Sequence, residues 1–222
     1  MKNRVLLLGL SLLCGKAAMA QQDWPDLKRY QEANAKLTGK PVGIVYMGDS
    51  ITDFWIRSDS AFFNDHQYVD RGISGQTSPQ MLLRFRQDVI ALKPKAVAIL
   101  CGTNDIAGNT GSSSLEMIED NISSMTELAI ASHVRPILCS VLPANKFYWA
   151  PQMQPADSII MLNSWISSYA KKKHIPYVDY YAVMVDDQKG LKAVYSKDGV
   201  HPNGVGYAVM EQVIQPVIKK IL

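Results

Sequence analysis

The 222-residue chain is 47% hydrophobic and 19% charged, the composition of a soluble globular protein with enough apolar residues for one sizeable core. Its 23 basic and 20 acidic residues give a formal net charge of +3, but three of the basic ones, Lys2, Arg4 and Lys16, fall in the first 20 positions, and without them the two signs balance. Such a balance offers no electrostatic case for nucleic acid or an anionic membrane surface as partner.

Residues 1–20, "MKNRVLLLGLSLLCGKAAMA", pass from a basic start through an apolar stretch, Val5 to Leu13, to the small-x-small ending Ala18-Met19-Ala20. That succession predicts a secretory signal peptide cleaved near Ala20, with residues 21–222 exported, to the periplasm or beyond, as a single domain. The apolar stretch falls short of the ~20 residues that a membrane-spanning helix needs, and no later segment approaches that length without charges. Leu13 stands before Cys14 where a lipidation signal would have a small residue, which argues against a lipid anchor there. Beyond the leader only Cys101 and Cys139 remain, both inside apolar strand-like runs. They are expected as core thiols, with export leaving a disulfide open to them.

The next elements alternate. "VGIVYM" (42–47) and "YVDRGI" (68–73) read as buried strands, followed by the helical periodicity of "SPQMLLRFRQDVIAL" (78–92). "AVAILC" (96–101) leads to "SSLEMIEDNISSMTELAIAS" (113–132), and "PILCSVL" (136–142) to "ADSIIMLNSWISSYAKKK" (156–173), whose lysines form a solvated helix end. "IPYVDYY" (175–181) leads to the closing helix "GVGYAVMEQVIQPVIKKIL" (204–222). Strands that are apolar throughout must be buried on both faces, and parallel neighbours need crossovers, so the pattern predicts an α/β fold with a five-stranded parallel sheet between helical layers. Ligands of such sheets bind beyond the carboxyl ends of the strands, where strand order reverses.

Gly-plus-polar clusters occupy those positions: "GDSITDFW" (48–55), "GISGQTS" (72–78) and "GTNDIAG" (102–108). In the order 2-1-3-4-5, strands two and three flank strand one, and the three clusters converge on one crevice. The late stretch "KDGVHPNGVGY" (197–207) supplies Asp198 and His201 from a loop, since Gly199 and Pro202 oppose a helix that would present the pair to a metal ion. Ser50 is the candidate nucleophile, His201 the base that takes its proton, and Asp198 the carboxylate that orients the imidazole. The amides of Ser50 and Gly75 and the side-chain amide of Asn104 are candidate oxyanion donors, Gly75 because a side chain there would obstruct close backbone approach. Asp49 and Trp55 beside the serine, and Tyr148 and Trp149 in "NKFYWAP" (145–151), are candidate substrate contacts. His66, His133 and His174 precede strands two, four and five, at the opposite edge of the sheet. No phosphate-binding Gly-x-x-x-x-Gly-Lys run, Cys-x-x-Cys pair, His-Glu-x-x-His or Gly-x-Ser-x-Gly elbow occurs, so a cofactor-free and metal-free serine esterase is expected.

The blocks "GDSIT", Gly75 in "RGISGQT", Asn104 in "GTND" and His201 in "DGVHPN" resemble, in order, the four blocks of the SGNH hydrolases, the superfamily of the GDSL esterases and lipases. The spacing is most similar to the single-domain branch with the platelet-activating factor acetylhydrolase alpha subunits and many bacterial acylhydrolases and carbohydrate acetylesterases. The resemblance implies a flavodoxin-like three-layer α/β/α fold over residues 21–222 and hydrolysis through an acyl-enzyme, with Ser50, Asp198 and His201 as triad. Together with the leader it implies a secreted esterase acting on small acyl groups, acetyl on carbohydrate foremost, with a lysophospholipase or thioesterase of longer chains as the rival and a binding module without chemistry more distant. "GISGQT" departs from that branch at Ser74 and Gln76, where Gly and Asp are common.

Overall fold

The computed structural model describes residues 23–222; the expected leader, with Cys14 and the cleavage point at Ala20, lies outside the described residues. Five parallel strands, β1 (Ile44–Gly48), β2 (Tyr68–Gly72), β3 (Ala96–Ile99), β4 (Arg135–Cys139) and β5 (Tyr177–Val178), form one sheet in the order β2-β1-β3-β4-β5. The fold is therefore the α/β architecture and strand order that the sequence implies. β5 is shorter than the apolar run 175–181, because Asp179 caps a new helix by accepting a hydrogen bond from the Ala182 amide.

The strands' alternation sorts the core into two layers. Val45 and Met47 of β1 face helices α4 (Ser78–Asp88), α6 (Leu115–Ala131) and α7 (Pro155–Lys173). Ile44 and Tyr46 face α2 (Ser50–Ser58), α3 (Ser60–Asn64), α8 (Tyr180–Met184) and α9 (Gly204–Ile218). Cys101 belongs to the first layer and Cys139 to the second, so the sheet lies between the two thiols and both stay free. α4 ends earlier than the periodic run 78–92, which breaks at Val89 into a short 3-10 turn and reverses at Lys93 with φ 50°. Two further helices, α1 (Gln31–Leu37) and α5 (Thr103–Ala107), complete the described residues, among which no helix is long and apolar enough to cross a membrane.

The Arg84 guanidinium on α4 is wholly enclosed. Its Nη2 donates to the Gly48 carbonyl at 3.0 Å, its Nε to Gln76 Oε1 at 2.6 Å and its Nη1 to Asp88 Oδ2 at 3.1 Å. Asp88 in turn accepts from Asn34 of α1 at 2.7 Å, and Asn34 Oδ1 accepts from Arg71 at the end of β2. One buried cation thus joins the end of β1, the loop after β2 and the amino-terminal arm. Arg84→Met should remove about 3–5 kcal/mol of stability, because it strands the Asp88 carboxylate in the core; a denaturant midpoint showing less than about 1 kcal/mol would refute this view of the network.

Asp70 of β2 is buried with one oxygen bonded to the Gly72 amide at 2.8 Å and the other without a partner. Burial pushes its carboxyl up to about 7, against the pull of that amide. Because the folded value lies above the ordinary 3.8, the contribution to stability is complete below about pH 4 and is lost as pH rises through about 7. Asp49, raised by burial to about 6, acts in the same direction. Thermal midpoints should therefore fall between pH 4.5 and 8, and Asp70→Asn, which cannot ionise, should flatten that slope whatever it does to the absolute midpoint; an unchanged slope would contradict the assignment.

Candidate active site

The carboxyl ends of β1 and β2 are level, with Gly48 in register with Gly72, and β3 lies on the other side of β1 with Ile99 beside Met47. The fit between β2 and the helix after β1 is close, since a Cβ at Gly72 would lie 2.1 Å from the Asp53 amide nitrogen. α2 starts immediately beyond β1. Asp49 caps it by accepting the Ile51 amide at 2.9 Å, and Ser50 becomes its first residue. The Ser50 amide is therefore one of the helix's unpaired amino-terminal donors, at the end of the helix that favours negative charge.

Ser50 Oγ lies 2.9 Å from His201 Nε2, and His201 Nδ1 lies 2.7 Å from Asp198 Oδ2. A carboxylate only accepts, so Nδ1 carries the proton and Nε2 is left as acceptor for the serine hydroxyl. The other Asp198 oxygen accepts from Ser196 Oγ and from the amides of Val200 and His201 at 3.0, 2.9 and 2.8 Å. Partial burial pushes this carboxyl up, but the hydrogen bonds from the His201 ring and from those two amides outweigh it and hold it down at about 2. Asp198 and His201 thus use their facing atoms on each other, with Gly199 at φ 80° making the turn between them.

Gly75, in the loop after β2, has φ 81°, and a Cβ added to it would meet only Asn109 Nδ2, at 4.0 Å. Within the protein, glycine is needed there for its backbone conformation. Asn104, on α5 just beyond β3, donates from Nδ2 to the Gln76 carbonyl at 3.0 Å and to Asp49 Oδ2 at 3.3 Å. Its Oδ1 accepts from Asn109 Nδ2 at 2.8 Å, and Asn109 Oδ1 accepts from the Trp149 indole at 2.9 Å.

Ser50, Gly75, Asn104, Asp198, His201, Tyr148 and Trp149 line one cleft of about 340 Å³, together with Phe54, Ser74 and Asn109. The loop that carries Tyr148 and Trp149 is pinned by Phe147, which is fully buried and stacks on Trp149 with ring centroids 4.9 Å apart. Two of the expected substrate contacts are corrected. Asp49 is buried beneath the cleft as the cap of α2, and Trp55 is buried on the far side, stacked between Phe62 and Tyr207 with its indole donating to Glu211 at 2.9 Å. Residues 48–55 read in the sequence as a Gly-plus-polar cluster at a strand end, and such a cluster gives no rule for which side chains share a face. In the helix that forms, Ser50 and Phe54 are four residues apart and point the same way, while Trp55 turns into the core. The two departures from the family pattern also divide: Ser74 reaches the cleft and donates to Asp53 at 2.6 Å, whereas Gln76 bonds Arg84 and the Pro25 carbonyl away from it.

The remaining histidines lie elsewhere, His133 and His174 in left-handed conformation at helix ends and His66 bonded to the Phe62 carbonyl.

Residues 46–209 match the sequence model of the GDSL-like Lipase/Acylhydrolase family. The crystal structure of a GDSL-like lipase from Bacteroides thetaiotaomicron superposes with a TM-score of 0.87 at 47% identity, covering 90% of this chain and 100% of that one. An acetylxylan esterase of Xylanibacter ruminicola is 30% identical over 173 residues, 67% of this chain and 35% of the relative. An uncharacterized lipoprotein of Bacillus subtilis is 27% identical over 160 residues, 61% of this chain and 65% of the relative. The chain spans only part of these two curated relatives.

Gly75 gives a test of the local geometry. Gly75→Ala forces an L side chain to φ 81° and should cost about 1–2 kcal/mol in thermal or denaturant unfolding; a neutral or stabilising effect would show that this backbone is not held as described.

Proposed function

This chain belongs to the GDSL-like lipase/acylhydrolase family, among the SGNH hydrolases that act on esters, and we propose that it is an exported serine esterase that removes small acyl groups, acetyl foremost, from carbohydrate. In this reading Ser50 Oγ attacks the ester carbonyl while its proton passes to His201 Nε2. The carbonyl oxygen becomes an oxyanion, received by the amides of Ser50 and Gly75 and by Asn104 Nδ2. Collapse expels the alcohol, which takes the proton from His201 and leaves an acyl group on Ser50. Water then repeats the sequence, giving the free acid and the serine. Asp198, held ionised, stabilises the imidazolium in both halves.

The observation that carries the chemistry is the continuous hydrogen-bonded line from Ser50 through His201 to Asp198, opening on a cleft that Gly75 and Asn104 also line. The substrate class rests on the cleft walls. Hydroxyl and amide groups of Ser74, Asn104 and Asn109 surround the serine, and Phe54, Tyr148 and Trp149 supply ring faces suited to sugar. Partial identity with an acetylxylan esterase supports the same class. Export, with cleavage near Ala20 and residues 21–222 as the exported hydrolase domain, rests on the basic, apolar and small-residue order of residues 1–20, and the lipoprotein relative agrees with passage out of the cytoplasm.

The test is a rate series over aryl esters of rising acyl length, alongside acetylated xylo-oligosaccharides and a lysophospholipid. Rates should be highest for acetyl, and the acetylated oligosaccharide should be deacetylated. A maximum at long acyl chains would move the assignment to a lysophospholipase or thioesterase. Ser50→Ala and His201→Ala should each lower kcat by about 10⁴-fold or more, and Asp198→Asn should retain about ten-fold more activity than either. A Ser50→Ala protein that kept its rate would end the reading.

A further inference from the structure

We infer that Asn109 is a positioning residue, which helps to hold the direction of the Asn104 amide and is itself held in part by the Trp149 indole. The inference rests on the esterase reading of the site and adds to it a link between the aromatic wall and the oxyanion donors.

The logic is one of donor direction. An indole N–H can only donate, so Trp149 Nε1, 2.9 Å from Asn109, fixes that atom of Asn109 as the carbonyl oxygen. The amide nitrogen of Asn109 then faces the other way, where it donates to Asn104 Oδ1 at 2.8 Å and to the Gly75 carbonyl at 3.3 Å. With its oxygen so occupied, Asn104 presents its nitrogen toward Asp49 and the Gln76 carbonyl. Two side-chain amides are therefore ordered by groups that have no choice: the indole, which only donates, at one end, and the Gly75 and Gln76 carbonyls, which only accept, along the line. Asn109 also touches both oxyanion residues that are not Ser50 itself.

The relay lies at the rim. Asn109 is exposed and Trp149 partly so, and in the free protein water competes for these bonds. Substrate seated against Trp149 covers them, and hydrogen bonds freed from competing water hold their geometry more firmly. The Trp149 ring also lies 6.3 Å from that of His201, so a group resting on the indole is already beside the reacting serine. The relay should accordingly be felt in the transition state, and little in folding or in initial binding.

The experiment uses the full chain with an aryl acetate and measures kcat and KM for Trp149→Phe, Asn109→Ala, Asn109→Asp and the double variant Trp149→Phe/Asn109→Ala. Reaction of Ser50 with a phosphonylating reagent counts intact sites, and thermal midpoints check folding. Trp149→Phe keeps a ring but loses the donor; kcat should fall between about ten- and a hundred-fold, less than or equal to the loss of a whole oxyanion donor, with KM within about two-fold. Asn109→Asp can still accept from the indole but cannot donate to Asn104, so it should fall as far as Asn109→Ala. The double variant should be no slower than Asn109→Ala alone, since both changes cut one chain. An unchanged kcat in Trp149→Phe, a KM effect without a kcat effect, or losses that multiply in the double variant would overturn the relay. Failure of the esterase reading would look different: the unmodified protein would not turn over the acetate, or Ser50→Ala would.

Discussion

The buried guanidinium of Arg84 is the interaction on which the rest of the active edge depends. A cation removed from water must find hydrogen-bond acceptors or it destabilises the fold by several kcal/mol. Arg84 finds three, and each belongs to a different part of the site's support: the carbonyl that ends β1, the side chain of the loop after β2, and the Asp88 carboxylate that ties in α1. The loop between Gly72 and Thr77 has a single turn of its own, closed by the Gln76 amide on the Ile73 carbonyl at 3.2 Å. Its shape is fixed from below by Gln76 on Arg84, and from the side by the Gln76 carbonyl on Asn104.

Above that support, the parallel sheet converts sequence distance into proximity. Ser50 follows β1, Gly75 follows β2 and Asn104 follows β3, and because β2 and β3 flank β1 the three meet at one level. The register leaves little slack, with Gly72 pressed against the backbone of α2 and Gly75 turned by a positive φ. His201 and Asp198 arrive from the far end of the chain on a loop bonded to itself, and the α9 helix behind them is capped by Asn203, which accepts from the amides of Val205 and Gly206. In the proposed chemistry no side chain other than the serine, histidine and the Asn104 amide has to touch the reacting atoms; the remaining groups hold backbone.

The parallel strands and the five groups now gathered in the cleft were legible because each rests on a short-range rule: apolar runs make buried strands, crossovers make neighbours parallel, and Gly-polar clusters mark the ends of strands, while the strand order came with the resemblance to a flavodoxin-like family. Arg84 was not. It sits in "LLRFRQD", where an arginine on an amphipathic helix reads as solvent-facing, and two of its three acceptors lie eight and thirty-six residues away in the chain. Trp55 was misplaced for a related reason: the helix that begins at Ser50 has its cap inside the GDS block, which in the sequence reads only as a Gly-plus-polar cluster at a strand end. Asn109 carries no local signature at all, since its partners at Trp149 and Gly75 are set by how two loops meet.

Two carboxylates close to the same serine are treated in opposite ways, first by their depth of burial and then by the hydrogen bonds they receive. Asp198, only partly buried, receives two backbone amides, a serine hydroxyl and the imidazole, and is held at about 2. Asp49 is buried more deeply, receives one backbone amide and a long contact from Asn104, and burial carries it up to about 6. The first arrangement keeps a full negative charge behind His201 at any pH near neutrality, as a partner for an imidazolium must have. The second places beside Asn104 a carboxyl whose hold on that amide is weak, 3.3 Å against 3.0 Å for the Gln76 carbonyl. One Asn104 hydrogen is thus committed to the backbone and fixes the plane of the amide, while the other rests on the longer contact to Asp49 and is, in the proposed chemistry, the one offered to the oxyanion. Asp49 thus serves as the cap of α2 and as an acceptor for Asn104, and both contacts hold it beneath the cleft.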